Sequence, residues 1–172
     1  MYNNNREISD KVKGQAKKDV QVYYDWLMDK TKDDECYRYD VLSNVNDWAE
    51  YDCMQIKFDC DGDYRQQALE LKGRPFESTR YPDCGVNIEK VQSLQRFSNC
   101  TNIPAYLVAI YYSDRKICIW QIDPDKEYQF ENRMCEQTQS DWSKGKVEKK
   151  IVPFMISEAK KYAIPQHISL GD

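Results

Sequence analysis

Ala68-Leu69-Glu70-Leu71-Lys72-Gly73-Arg74 alternates small or apolar residues with charged ones before a glycine. It closes an apparent strand from about Tyr64 to Arg74, and Gly73 and Pro75 then break the pattern. Side chains alternate across a strand, so Glu70 and Lys72, two residues apart, point to one face. Upstream, from Glu50 to Phe58, apolar residues (Tyr51, Cys53, then Ile56 and Phe58) alternate with polar ones, as in a strand with one irregularity. Asp59-Cys60-Asp61-Gly62-Asp63 between the two runs reads as a turn. A hairpin of this kind brings Asp52 beside Glu70 and Lys72.

Working outward, Ile8 to Met28 reads as a helix, with Ile8, Val12, Ala16, Val20, Tyr23, Tyr24 and Leu27 at helical spacing. Lys11, Lys13, Lys17 and Lys18 give its first half a basic flank. Asp40-Val41-Leu42 reads as a short strand, and Ser43-Asn44-Val45-Asn46-Asp47 as a turn. Beyond the hairpin, Tyr81-Pro82-Asp83-Cys84-Gly85 reads as a second turn, and Ile88, Val91, Leu94 and Phe97 predict a helix over Asn87 to Phe97. Ala105 to Tyr112 is a nearly continuous apolar run, the pattern of a strand buried on both faces. Ser113-Asp114-Arg115 turns into a further strand, Ile117 to Ile122.

This order predicts an α/β fold with a central mixed sheet and helices on both faces. The helix after the second strand returns the chain to a parallel neighbour by a right-handed crossover. The tail from Tyr128 onward is less patterned: Lys144-Gly145-Lys146 reads as a loop, and Ile156 to Ala163 as a terminal helix ended by Pro165. With 172 residues and neither repeat nor low-complexity linker, one domain is expected.

The chain is 41% hydrophobic and 31% charged, but its 13 Tyr, 4 Trp and 5 Phe are too many for a disordered chain. A net charge of −4 argues against a protein that coats nucleic acid, while leaving local steering open. The seven cysteines (Cys36, Cys53, Cys60, Cys84, Cys100, Cys118 and Cys135) form no C-x-x-C pair, and the one histidine, His167, is distant, so a structural zinc site is not expected. The odd cysteine count and the lack of a leader segment give the expectation of reduced thiols in a cytoplasm, with Cys53 and Cys118 as small core residues. No apolar run approaches the ~18–20 residues of a membrane span.

Two carboxylates and a lysine on one sheet face form the minimum set for metal-dependent phosphodiester cleavage. Mg²⁺ prefers hard oxygen ligands and takes one or two carboxylates with waters and phosphate oxygens. Asp52 and Glu70 supply two, and a backbone carbonyl near Leu71 offers a third oxygen. Lys72 would orient or deprotonate the water and offset transition-state charge. Against this stands the frequency of E-x-K by chance on solvated strand faces.

Glu50-Tyr51-Asp52, the hairpin, Ala68 to Arg74, then Tyr81-Pro82-Asp83 and a helix bearing Lys90 together resemble the PD-(D/E)XK nuclease superfamily, which includes restriction endonucleases and archaeal-type Holliday-junction resolvases. The resemblance runs from about Trp48 to Asp123, on a short and degenerate motif in which Tyr51 stands where the family has proline. It implies a restriction-endonuclease-like, three-layer α/β/α fold with a four- to five-stranded mixed sheet. Residues 1–172 would be one nuclease-like domain, with a core at about 48–123 and 124–172 as a C-terminal extension. It further implies Asp52 and Glu70 as metal ligands, Lys72 as catalytic lysine, Lys90 as an auxiliary catalytic lysine, and Mg²⁺ as cofactor with Mn²⁺ able to substitute. Many members carry an acid in the first helix, and Glu7 and Asp19 both remain candidates.

For DNA as partner, Arg74, Arg80, Lys17 and Lys18 are the phosphate-contact candidates. Lys11, Lys13 and the lysines from Lys144 to Lys161 add charge, and Trp48 and Trp142 are candidates for base stacking, although packing serves them equally. The acidic turn Asp59, Asp61, Asp63 reads as a solvated hairpin tip. The expectation is a metal-dependent DNA endonuclease of recombination, repair or phage DNA processing in a bacterial or phage-infected cytoplasm, with a homodimer left open. The rival expectations are a non-catalytic nucleic-acid-binding or protein-interaction module on the same fold, and an α/β interaction protein whose E-x-K is coincidence.

Overall fold

The computed structural model describes residues 3–43, 51–138 and 141–170, with the side chains of 14–43, 51–136 and 145–170. At its centre is β3 (Tyr64–Arg74), whose bounds agree with the hairpin reading. It pairs antiparallel with β2 (Cys53–Asp59) and parallel with β5 (Ala105–Tyr111). β1 (Tyr37–Ser43) borders β2, β6 (Lys116–Ile122) borders β5, and β9 (Lys160–Ala163) closes the other edge, giving the order β1-β2-β3-β5-β6-β9. The sheet is mixed, as expected, but has six strands rather than four to five.

Alternation along β3 sorts the core into two halves. Leu69 and Leu71 face α1 (Asn3–Thr31), where they pack with Val22, Tyr23, Trp26 and Leu27. Tyr23 also donates a buried 2.6 Å hydrogen bond to Gln55 of β2. Ala68 faces the other way, toward Ile88, Val91 and Leu94 of α2 (Ile88–Thr101). α2 begins where the Asn87 side chain accepts from the Glu89 N–H, and ends at Asn102, whose left-handed φ of 58° lets its N–H bond Ser98 O. The α2 crossover joins the parallel pair β3 and β5, as the element order predicts.

The second face is not covered by helix alone. β4 (Asp83–Asn87), β8 (Asp141–Met155) and β7 (Glu131–Thr138) form a separate three-stranded sheet, and Cys84, Val86, Val152 and Phe154 carry it into the α2 core. This corrects three sequence readings. Asp83 to Gly85 is strand rather than turn, because β8 offers it a partner almost seventy residues later. Lys144-Gly145-Lys146 lies within β8 rather than in a loop. Ile156 to Ala163 is a 3₁₀ turn (Ile156–Glu158) followed by β9, not a helix, because Lys160 to Ala163 pair with the free edge of β6.

All seven cysteines are unpaired, with Cys53 and Cys118 fully buried in strands. No described helix is long and apolar enough to cross a membrane. The 44–47 turn, Glu50 and Trp48 lie outside the described residues, as do the side chains of Glu7, Lys11, Lys13, Trp142 and Lys144.

Candidate active site

Glu70 is 1% exposed in the middle of β3, on the face turned toward α2. A carboxylate that deep costs several kcal/mol unless it is paired. Here it is paired twice. Lys72 Nζ, from the same strand face, lies 2.6 Å from Oε1, and Lys90 Nζ, from the first turn of α2, lies 2.8 Å from Oε2. Both ammonium groups keep partial access to water, at 24% and 27% side-chain exposure. Lys90 nevertheless approaches Oε2 off the line of a hydrogen bond, so that oxygen receives no aligned donor among the described residues.

Asp52 sits one residue before β2. Its N–H donates to Leu69 O at 2.9 Å, which extends the β2–β3 register and sets Asp52 across from Glu70. Its Oδ2 accepts the Leu71 N–H at 2.7 Å. Asp52, Glu70, Lys72 and Lys90 thus converge from β2, β3 and α2.

Burial raises the Asp52 pKa to about 6, with the Glu70 charge adding to the effect and Lys72, the Leu71 N–H and Lys90 opposing it. For Glu70 burial acts in the same direction, but Lys72 and then Lys90 outweigh it and hold the carboxyl below its usual range. Burial alone would lower the Lys72 pKa, whereas Glu70 and Asp52 raise it above its ordinary value. Lys72 therefore stays protonated at neutral pH in this arrangement. In that form it presents a positive charge beside Glu70.

The other candidates lie apart from this cluster. Arg74 continues the Glu70–Lys72 face and donates through Nη2 to Gly85 O at 3.1 Å and toward Cys84 Sγ at 3.6 Å. Arg80, in the β3–β4 loop, sits 5.5 Å from the ring centres of both Phe76 and Tyr81. Lys17 and Lys18 are on α1, which covers the opposite face of the sheet, and Lys18 lies 5.0 Å from the Tyr112 ring centre. Asp19 is also on that face. It is 5% exposed and accepts from Gln15, the Gly73 N–H and Tyr112, so it braces the end of β3 rather than joining Glu70. Asp59 accepts the Asp61 and Asp63 N–H groups, which makes the acidic turn a self-bonded hairpin tip.

Among the described residues, no group of three or more His, Cys, Asp or Glu side chains forms a metal cluster. A cation at this site would rest on two carboxylates and non-side-chain oxygens. Asp52 commits only Oδ2 to the backbone, which leaves Oδ1 for a hard divalent cation, whereas at Glu70 a cation would take the place of Lys72 or Lys90 against the carboxylate. One feature was invisible in the sequence. Arg133 of β7 makes a bidentate pair with Asp83 of β4 at 2.8 and 2.9 Å, fifty residues apart, and no local spacing signals it.

No protein-family model matches the chain, and no curated protein is significantly similar to it. Among solved structures it is similar to a Holliday junction resolvase from the archaeal hyperthermophile Archaeoglobus fulgidus, at 13% identity and a TM-score of 0.37, over 77% of this chain and 92% of that one. A likeness of that strength decides neither fold nor activity.

Proposed function

We propose that this protein is a divalent-metal-dependent DNA endonuclease of the PD-(D/E)XK kind, using Mg²⁺ with Mn²⁺ as substitute. The observation that carries the reading is Glu70: a fully buried carboxylate at mid-strand, flanked by lysines from two elements and faced by Asp52 from the adjacent strand. A structural role alone does not account for it, because apolar residues fill such a position at no electrostatic cost. Asp52 and Glu70 would hold the cation, which supplies a nucleophilic water and charge neutralisation. Lys72, held protonated by Glu70, would present a fixed charge to the scissile phosphate. Lys90 would hold Glu70 in place and add a second charge. The reaction class is hydrolysis to a 5′-phosphate and a 3′-hydroxyl, in recombination, repair or phage DNA processing.

One observation favours a second reading, a non-catalytic DNA-binding module. Both Glu70 oxygens already lie against lysine, so the group is electrostatically complete without metal. Cleavage assays separate the two. The nuclease cuts DNA with Mg²⁺ or Mn²⁺, stops in EDTA, and binds with little cutting in Ca²⁺, and Glu70→Ala is inactive but folded. Equal cutting by Glu70→Ala and wild type, from preparations free of contaminating nuclease, overturns the assignment.

A further inference from the structure

The face of β3 that carries Glu70 and Lys72 runs on through Arg74 into an open cleft of about 420 Å³. Its walls come from the β3–β4 loop and from the three-stranded sheet. Phe76 and Tyr81 meet edge to face with ring centres 5.3 Å apart, and the Arg80 guanidinium lies beside both. Tyr81 is 50% exposed, so one side of this aromatic pair is open to solvent. Asp83 lines the cleft with 8% of its side chain exposed and is fixed by its bidentate pair with Arg133, which leaves each carboxylate oxygen a second lone pair. Arg74 spends only Nη2 on protein, leaving Nε and Nη1 without a protein partner among the described residues.

We propose that this cleft binds an unpaired nucleotide of the strand being cut, which makes the preferred substrate DNA with a single-stranded portion beside the cleaved bond. The proposal rests on the nuclease reading above for its placement, but its chemistry is separate. Three kinds of group converge: an aromatic face with a guanidinium for stacking, a fixed carboxylate for base N–H donors, and free guanidinium nitrogens for a phosphate. Continuous duplex satisfies only the last, because its base faces are stacked and its Watson–Crick edges are paired. Arg74 stands two residues beyond Lys72, roughly 7 Å along the strand, so the cleft receives a neighbour of the scissile phosphate.

The test compares wild type, Tyr81→Ala and Tyr81→Phe as full-length proteins in EDTA, where nothing is cut. Anisotropy reads binding to a labelled single-stranded oligonucleotide and to its duplex, and 2-aminopurine in the single strand reports stacking. Tyr81→Ala is expected to weaken single-strand binding roughly 5- to 100-fold and to abolish the 2-aminopurine quench, while Tyr81→Phe stays within about twofold of wild type. Duplex binding is expected to be unchanged by either variant. Absence of single-strand binding by wild type, an unaffected Tyr81→Ala, or equal losses on both DNAs overturns the proposal. Cleavage in Mg²⁺ of a duplex that carries a single-stranded branch, measured in parallel, keeps the two claims apart. Cleavage with no Tyr81 effect refutes the cleft alone, and a Tyr81-dependent single-strand site without cleavage refutes the nuclease alone.

Discussion

Asp52→Asn is expected to make the protein more stable at neutral pH while removing one of the two proposed metal ligands. The folded-state pKa of Asp52, about 6, stands above its ordinary 3.8. Ionising Asp52 in the fold at pH 7 therefore costs up to about 3 kcal/mol, at 1.36 kcal/mol per unit. Asparagine removes that charge, and its carbonyl oxygen can still accept the Leu71 N–H. Between about pH 4 and pH 6 the folded chain holds a proton that the unfolded chain has lost. The contribution of Asp52 to stability thus falls as pH rises through that window, and the full cost is present above it. Glu70 acts with the opposite sign: its lowered pKa stabilises the fold above the unfolded value, and that stabilisation is lost as pH falls through the folded one. Comparing the variant with wild type isolates Asp52. Thermal melts from pH 3.5 to 8 should show a small difference at the acid end, growing to at most roughly 6–12 °C at pH 7.5 for a domain of this size. Added Mg²⁺ should stabilise wild type but not the variant, narrowing the gap. A variant less stable than wild type by the same amount at every pH would refute this electrostatic account of the site.

Three further outcomes are expected. Lys72→Ala should slow cleavage by orders of magnitude, since one lost transition-state contact costs ~3–4 kcal/mol, with a far smaller change in DNA affinity. Lys72→Arg should not restore the rate fully, and proportional losses in rate and affinity would reduce Lys72 to a phosphate anchor. Gly73→Ala should lower thermal stability by ~1–3 kcal/mol, because its Cβ would clash with Asp19 Oδ1 and that carboxylate is held by Gln15 and Tyr112; an unchanged melt contradicts the packing of α1 on β3. In thiol titration of the native protein, exposed Cys36, Cys60 and Cys100 should react quickly, while Cys53 and Cys118, buried and pushed up to about 12 and about 11, should react only on unfolding.

What could be read from the chain was what is local. β3, α2 and β5 each carry a pattern complete within their own length, and Glu70 and Lys72 were singled out by strand alternation, Lys90 by the resemblance to the nuclease superfamily. The ion pairs between them needed a fold to show. β4 was hidden because Pro82 and Gly85 look like turn residues. Gly85 is there for another reason, since a Cβ would meet Ile151 Cγ2 at 2.8 Å from the facing strand. β7 and β8 were hidden because much of their described surface faces water, so Lys146, Glu148 and Lys150 show no apolar alternation. β9 was hidden because a four-residue edge strand is defined by its partner β6 and not by its own sequence. Asp19 was a candidate for the catalytic cluster by position in the first helix, but that helix lies across the sheet from Glu70.

If Asp52 and Glu70 together hold the divalent cation that cleavage requires, each carboxylate is needed for its binding. Mn²⁺ titration followed by electron paramagnetic resonance tests it directly, on wild type, Asp52→Asn and Glu70→Gln, with DNA cleavage measured in the same buffer. Wild type should bind Mn²⁺ saturably, both variants should lose that binding, and cleavage should be lost with it. Mn²⁺ binding that survives both substitutions, or cleavage that persists without it, would rule out joint ligation by Asp52 and Glu70.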